Sequence, residues 1–350
     1  MTDTESIALN CPAPKNSPNT IELAHGGGGL MTRRLIDDLI RPAFASSPDD
    51  FTHDGAVFDI AETRLAFTTD SYVVRPLFFP GGDIGALAVY GTVNDLAMCG
   101  ADPLYLSAGL VIEEGFAIDD LRRVVESMRQ AAQIAGVRLV TGDTKVVERG
   151  KGDGLYVNTS GIGVIRATLP PIAPQQVCPG DAVVLSGDIG RHGIAVLAAR
   201  EDFGFETAVT SDCAPLAAAV RKLIESGIEL HCLRDLTRGG LATALIEIAE
   251  AGKLDIRLEA AAIPISDPVR GACEILGFDP LYVANEGRFV AFVPADAAER
   301  AAVILRRFGE EVSIIGFVET SPNSGAVLLN TIGGTRCLDM LTGEQLPRIC

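Results

Sequence analysis

The chain has 350 residues, 47% of them hydrophobic and 5% aromatic, with no Trp and a formal net charge of −17. That length allows two ordinary domains around a core of Ala, Val, Leu and Ile. The acidic balance argues against a nucleic-acid or anionic-membrane surface, which needs excess Lys and Arg. It leaves room for a nucleotide whose phosphates are held by backbone N–H groups and Mg²⁺.

In chain order, the opening MTDTESIALNCPAPKNSPNT lacks the basic start and apolar stretch of a secretory signal. No apolar run approaches the ~18–20 residues of a membrane span. The Pro, Asn, Ser and Thr content makes residues 1–24 read as a loose arm. The unclustered cysteines suit a reducing cytosol, so the chain reads as cytoplasmic. HGGGGLMTRRLIDDLIRPAF sets Gly26, Gly27, Gly28 and Gly29 before an amphipathic helix carrying Leu30, Leu35, Leu39 and Ile40, with Pro42 near its end. AVFDI and RLAFTTDSYVV read as strands, the second continuous enough to be buried. GALAVYGTVNDLAMCGA reads as a buried helix and LYLSAGLVIE as a strand. AIDDLRRVVESMRQAAQIAG reads as a helix with acidic residues at its start and Gly136 at its end. VRLVTGDTKVVE and LYVNTSGIGVI complete a first α/β unit over 25–166. RATLPPIAPQQVCPGD, with four prolines, reads as a connection.

A second α/β unit is expected over 175–341. It runs through strand AVVLSG, loop DIGRHG, helix IAVLAARE, a long helix CAPLAAAVRKLIESG, and the loop and helix RDLTRGGLATALIEIAEAG. Strands DIRLEA and LYVANEGRFVAFVP, helix AERAAVILRRFG, strands VSIIGFVET and AVLLNT, and a hairpin TIGGTRCLDML follow. Residues 342–350 then form a movable arm, interrupted by Gly343 and Pro347, that spans roughly 30 Å when extended. The fold class is α/β in two domains.

Acidic residues recur where apolar strands end or glycine follows: Asp54, Asp70, Asn94 with Asp95, and Asp143. Carboxylates at strand ends face the crevice where ligands of open α/β sheets bind, and several together suit Mg²⁺. Each alone reads more readily as a turn former or helix cap, and it is the four in one unit that bring the cation reading level. The glycine run suits phosphate, although HGGGG matches no standard phosphate-loop spacing and also reads as a linker. LRDLTRGGLA gathers Asp235, Thr237, Arg238, Gly239 and Gly240 at a helix start. Lys145 could neutralise a phosphate or simply be solvated. Glu286, after an apolar strand and before glycine, could be a shielded base or a turn residue. The eight cysteines form no CxxC pair, and the scattered His25, His53, His192 and His231 support neither a zinc nor a Cys–His site. Cys350, the last residue of the sequence, stands apart from them.

HGGGG, TTDS, GTVNDLAMCGA, TGDTKVV, SGDIGRHG, LRDLTRGGLA, ANEG and PRIC, in this order from His25 to Cys350, resemble the HypE family of carbamoyl dehydratases in nickel–iron hydrogenase maturation. That family lies within the PurM-like ATP-binding superfamily. The aspartate motifs are shared across the superfamily, whereas PRIC is specific. The resemblance implies a two-domain PurM-like fold, with an N-terminal mixed sheet and helices forming a homodimer interface, a C-terminal α/β domain and a flexible tail. It implies that a HypF-type carbamoyltransferase loads a carbamoyl group onto the Cys350 sulfur. ATP with Mg²⁺ then drives dehydration to a thiocyanate, and a HypC–HypD complex accepts the cyano group.

The residues implied for nucleotide are Gly26–Gly29, Asp54, Asp70, Asn94, Asp95, Asp143, Asp235, Arg238 and Gly239, with Asp54, Asp70, Asp95 and Asp143 on metal. Lys145 and the base Glu286 complete the chemistry with Cys350, and Arg348 could steer the tail. A thiamine monophosphate kinase or selenophosphate synthetase reading explains the aspartates and leaves PRIC idle. The latter would need a reactive cysteine near the N-terminus, where only Cys11 stands. A scaffold offering its C-terminal peptide to a partner leaves the ATP motifs idle.

Overall fold

The computed structural model describes residues 20–45, 47, 52–200, 209–320, 325–343, 346 and 349–350. Two sheets organise it. The first takes β1 (Ala56–Ile60), β2 (Thr63–Tyr72), β5 (Ala101–Glu113), β6 (Arg138–Val147) and β7 (Leu155–Ile165) in the order β1-β2-β7-β5-β6. A small β3 (Phe78–Phe79) and β4 (Gly82–Asp83) hairpin precedes helix α3. The second sheet runs β14-β13-β10-β12-β8-β11-β9. Its strands are β8 (Asp181–Leu185), β9 (Cys232–Asp235), β10 (Asp255–Glu259), β11 (Phe289–Pro294), β12 (Ser313–Glu319), β13 (Val327–Thr331) and β14 (Gly334–Leu338).

The helices are α1 (Leu30–Leu35), α2 (Arg41–Phe44), α3 (Ile84–Met98), α4 (Ile118–Ala135), α5 (Arg191–Arg200), α6 (Ala217–Glu225), α7 (Gly240–Gly252), α8 (Asp267–Leu276) and α9 (Ala298–Leu305). Helix α3 is buried on nearly every side and, apart from Thr92, Asn94 and Asp95, is built of apolar residues and glycine, as an enclosed helix requires. It packs on β2, β5 and β7 and also touches α6 and β9, so it lies between the two sheets. Asp83 caps it by accepting from the N–H groups of Gly85 and Ala86 at 2.7 and 3.1 Å. Helix α4 buries one stripe, Val124, Met128, Ala131 and Ala132, and Gly136 closes it at φ 74°. Strands β8 and β11, central in their sheet, are buried almost throughout, which is why they read as unbroken apolar runs.

Several expectations need correction. Strand β2 alternates rather than being fully buried, because one face of its sheet has no covering layer: Ala66, Thr68 and Tyr72 point inward and Phe67 outward. The helix after the glycine run holds six residues before a π-turn over Ile36–Ile40. It buries none of its apolar residues, and Leu39 is 65% exposed. Pro215 holds the long helix to nine residues, Ala217–Glu225. Of the strand expected over 281–294, only Phe289–Pro294 forms. Pro280–Tyr282 makes a 3₁₀ turn, and an irregular segment carries Glu286.

Candidate active site

A cleft of about 480 Å³ opens between the sheets, lined by Asp54, Asp70, Asp95, Asp235, Arg234 and Arg238 among others. Asp70 projects from the inward side of β2, Asp95 from α3, Asp235 from the end of β9, and Asp54 from the loop before β1. Arg234 anchors the Asp54 side. Its guanidinium donates to Asp54 Oδ1 at 2.5 Å and to the Thr52 carbonyl at 3.2 Å, and pairs with Glu247 at 3.1 Å. Thr68 Oγ1 donates to Asp95 Oδ2 at 2.8 Å.

Burial pushes the Asp95 carboxyl well above the ordinary range, and the charges of Asp235, Asp70 and Asp54 push it further. Burial and Asp54 do the same to Asp235. Acids crowded this way stay neutral or hold a cation. Asp54 Oδ2 is buried with no hydrogen-bond partner among the described residues. No three His, Cys, Asp or Glu among those residues come close enough to hold a metal by themselves. An orphaned carboxylate oxygen beside an incomplete cage fits Mg²⁺, which keeps waters and takes substrate phosphate oxygens as its remaining ligands.

Two glycines show why this loop chemistry needs no side chain. Gly28, at φ +78°, lies against Arg238, and a Cβ there would stand 2.9 Å from Arg238 Cβ. Gly239, at φ +77°, caps α7, and its Cβ would strike the Thr243 side chain. Arg238 also pairs with Asp70 at 3.7 Å and reaches the Gly26 carbonyl at 3.5 Å.

On the other side of Arg238 lies a cavity of about 270 Å³, shared by Gly26, Gly27, Val73, Arg238, Leu346 and Cys350. The tail, expected as a movable arm, is docked here. Leu346 and Ile349 are each only 7% exposed and Cys350 is half-buried. Leu30 N–H donates to the Leu341 carbonyl at 2.9 Å, and Val73 N–H donates to Cys350 O at 3.2 Å. His192 Nε2 stands 2.6 Å from the Ile349 carbonyl oxygen. The proposed steering residue Arg348, like Pro347 and Cys11, lies outside the described residues.

Glu286 is 3% exposed, and its Oε1 has no hydrogen-bond partner among the described residues. Burial raises its carboxyl well above the usual range, and nearby Asp235, Asp212 and Asp70 raise it more. Its position is set by Asp212, whose Oδ2 accepts from the N–H groups of Glu286 and Gly287 at 3.2 and 3.0 Å.

Three predicted residues do not join the cleft. Asn94 is buried and spends its amide on backbone: Nδ2 donates to Ala214 O at 3.1 Å, and Oδ1 accepts from Leu216 N–H at 2.8 Å. It ties α3 to α6. Asp143 and Lys145 lie on β6, the sheet's edge, and pair in register with Gly109 and Val111 of β5. Their side chains face outward with Tyr105, opposite to Asp70, and β6 lies three strand steps, about 14 Å, from β2. The glycine run is split: Gly28 lines the cleft, Gly26 and Gly27 line the tail cavity, and Gly29 abuts the Leu341 carbonyl. Sequence reading missed Arg234, Asp212 and His192. A charged residue inside CLRD, alternating with apolar neighbours, was the one available signal for Arg234. Asp212 carried none, and His192 stood inside SGDIGRHG without any sign of its partner.

Family models match both halves of the chain. The AIR synthase related protein N-terminal domain covers residues 52–165, and the corresponding C-terminal domain covers residues 178–328. Carbamoyl dehydratase HypE of Azotobacter vinelandii is 48% identical over 333 residues, covering 95% of this chain and 97% of that protein. This chain belongs to the HypE family. A crystal structure of hydrogenase maturation protein HypE in complex with ATP is 46% identical and covers 95% of this chain and 100% of its own, with a TM-score of 0.80. A HypE–HypF complex gives 44% identity, 88% and 99% coverage, and a TM-score of 0.82. Thiamine monophosphate kinase from Aquifex aeolicus is 16% identical over 89% of this chain and 99% of its own, with a TM-score of 0.62, a likeness of fold alone. HypE membership therefore carries the PurM-like α/β fold and hydrogenase maturation, and it separates this chain from the kinase reading.

Proposed function

We propose that this chain is an ATP-dependent carbamoyl dehydratase that carries a carbamoyl group on the Cys350 sulfur and converts it to a thiocyanate. The observation that carries the reading is the tail: Cys350 is docked beside Arg238, which also lines the carboxylate cleft. A HypF-type carbamoyltransferase would load the thiol and a HypC–HypD complex would accept the cyano group, in the cytoplasm. The tail would leave the cavity for each transfer and return between them. The working units are then 25–166 and 175–341, with 1–24 and 342–350 as arms.

Asp54, Asp70, Asp95 and Asp235 would hold MgATP from one side, with Gly28, Arg238 and Gly239 on the other. When bound, MgATP supplies a γ-phosphoryl group for the carbamoyl oxygen, turning a poor leaving group into phosphate. The chain's own part is threefold. The docked tail fixes the carbamoyl carbon beside the cleft. Arg238 balances negative charge gathering near the sulfur. Of the two protons that nitrogen loses, one is released as the carbamoyl oxygen is phosphorylated, and Glu286 takes the other as phosphate departs and the C≡N bond closes. Its raised carboxyl suits that task, since a base at the ordinary carboxylate value would be too weak near neutral pH.

A homodimer through the uncovered outer face of the first sheet belongs to the same reading. Phe67, Ile162 and Tyr105 form a cross-strand row there, and Phe67 and Tyr105 are both 43% exposed. Asp143 and Lys145 stand on that same face and would serve a cleft only in a second copy. Mass spectrometry of the peptide ending in Cys350 tests the function after incubation with a carbamoyl donor system. The expected result is a gain of carbamoyl mass, followed by loss of one water only when MgATP is present. Water loss without nucleotide, or no modification at Cys350, rejects it.

A further inference from the structure

We infer that His192 is a positioning residue for the docked tail: it reads the Ile349 carbonyl and so fixes where the Cys350 sulfur comes to rest. This rests on the dehydratase reading for its purpose, though the docking geometry stands by itself.

His192 is completely buried at the start of α5, in the GRHG stretch. Its Nε2 lies 2.6 Å from the Ile349 carbonyl oxygen and its Nδ1 lies 2.9 Å from Ser211 Oγ. A carbonyl oxygen only accepts, so Nε2 must bear the hydrogen and Nδ1 must be the acceptor. Ser211 is arranged for that tautomer. Its Oγ accepts from Cys213 N–H at 3.1 Å, leaving the hydroxyl hydrogen to point at Nδ1. Its own N–H donates to the Pro80 carbonyl at 2.8 Å, which holds the residue still. The Phe79 ring meets the imidazole edge-on at a centroid distance of 5.4 Å, fixing its plane.

Every polar atom of the imidazole is thus satisfied, and one of its two partners is the tail. When the tail leaves, the buried N–H exchanges a fixed carbonyl partner for solvent that must enter the vacated cavity, so the imidazole favours the docked state. Burial lowers the His192 pKa and keeps the ring neutral, the form this network needs. The contact is with backbone, so it reads the tail's register rather than its side chains. The Val73 N–H bond to Cys350 O grips the next residue, and Leu346 seats against Gly193, one residue past the histidine. A slip of one residue would move the sulfur by about 3.5 Å, enough to take it out of reach of a fixed phosphoryl group.

Iodoacetamide labelling of the full-length protein, followed by mass spectrometry on the peptide ending in Cys350, tests the assignment. His192→Leu should label Cys350 about tenfold faster than wild type, the effect of losing one hydrogen bond in a buried setting. His192→Gln, which keeps an N–H donor at the Nε2 position, should stay within about threefold of wild type. If His192→Leu does not fold, Ser211→Ala decides, with labelling about threefold faster expected as the tautomer is no longer held. Equal labelling of wild type and every variant with a native melting transition overturns the inference.

Single-turnover dehydration of carbamoylated protein gives the second readout. His192→Leu should lose maximal rate about tenfold with half-saturation by ATP unchanged, whereas a scaffold role would move both. Labelling needs no carbamoyl chemistry, so protection of Cys350 in a wild type that never dehydrates would reject the proposed function and leave the docking role standing.

Discussion

At Glu286 a carboxyl group is sealed from water with one oxygen unpartnered among the described residues, and this arrangement has a kinetic and a thermodynamic consequence. As the proposed base, Glu286→Gln should lower dehydration about 10²- to 10⁴-fold while Cys350 is still carbamoylated. Unchanged water loss by mass spectrometry would exclude it. The folded-state carboxyl titrates above its unfolded value, so the folded chain retains its proton after the unfolded chain has lost it. Stability from this group is complete below the ordinary carboxyl range and drains away as pH rises through the folded value. Removing the charge should therefore make Glu286→Gln melt progressively higher than wild type as pH rises above the ordinary carboxyl range. A pH-independent difference in metal-free melts would reject burial as the cause. Cys350→Ala should keep MgATP binding, lose carbamoylation and abolish hydrogenase maturation in cells; retained maturation rules out the carrier role. Glu286 was legible as a candidate because it follows an apolar run and precedes glycine. Asp212, which positions it, lies 74 residues away in sequence.

Among the elements, the turn into α7 concentrates the backbone demands of the site. Gly239 and Gly240 take φ of 77° and 62°, directly after Asp235 ends β9 and Arg238 reaches toward the tail. Gly239→Ala forces a side chain into the left-handed region and against Thr243, which should cost about 2 kcal/mol in denaturant unfolding and weaken ATP binding. An unchanged unfolding midpoint would count against this reading of the turn. The two glycines were readable in LTRGGLA because helix starts rarely need both. The irregular path of Leu281–Gly287 was not readable. LYVANEG has the apolar content of a strand, but its Asn285 side chain donates to the Leu236 carbonyl at 3.2 Å and accepts from Gly190 N–H at 2.7 Å, tying down the loop instead. Tertiary hydrogen bonds outweighed local propensity there.

For the whole molecule, the uncovered face of the first sheet is the outstanding feature. Phe58, Phe67 and Tyr105 are each at least 40% exposed on a sheet whose other face packs on α3. A large apolar patch of this kind marks an interface. Light scattering should give twice the chain mass for wild type and a single chain mass for Phe67→Asp, with the melting temperature of the separated chain little changed because Phe67 is already half-exposed. A single-chain mass for wild type would refute the homodimer. Dehydration should fall with dissociation if Asp143 and Lys145 act across the interface.

The order of apolar runs, the glycines and prolines between them, and the acids at their ends were enough to determine two α/β units and to point to a carboxylate-lined cleft. These signals are local: a strand's alternation or a helix's stripe is written within a dozen residues. Tertiary structure alone decided which acids meet. TGDTK and TTDS look equivalent along the chain, yet strand order and pleat turn Asp143 and Asp70 to opposite faces. The same packing brings His192 to within a hydrogen bond of a carbonyl 157 residues later. Sidedness and long-range contact depend on how neighbouring strands pair and which face is covered, and no single segment encodes that.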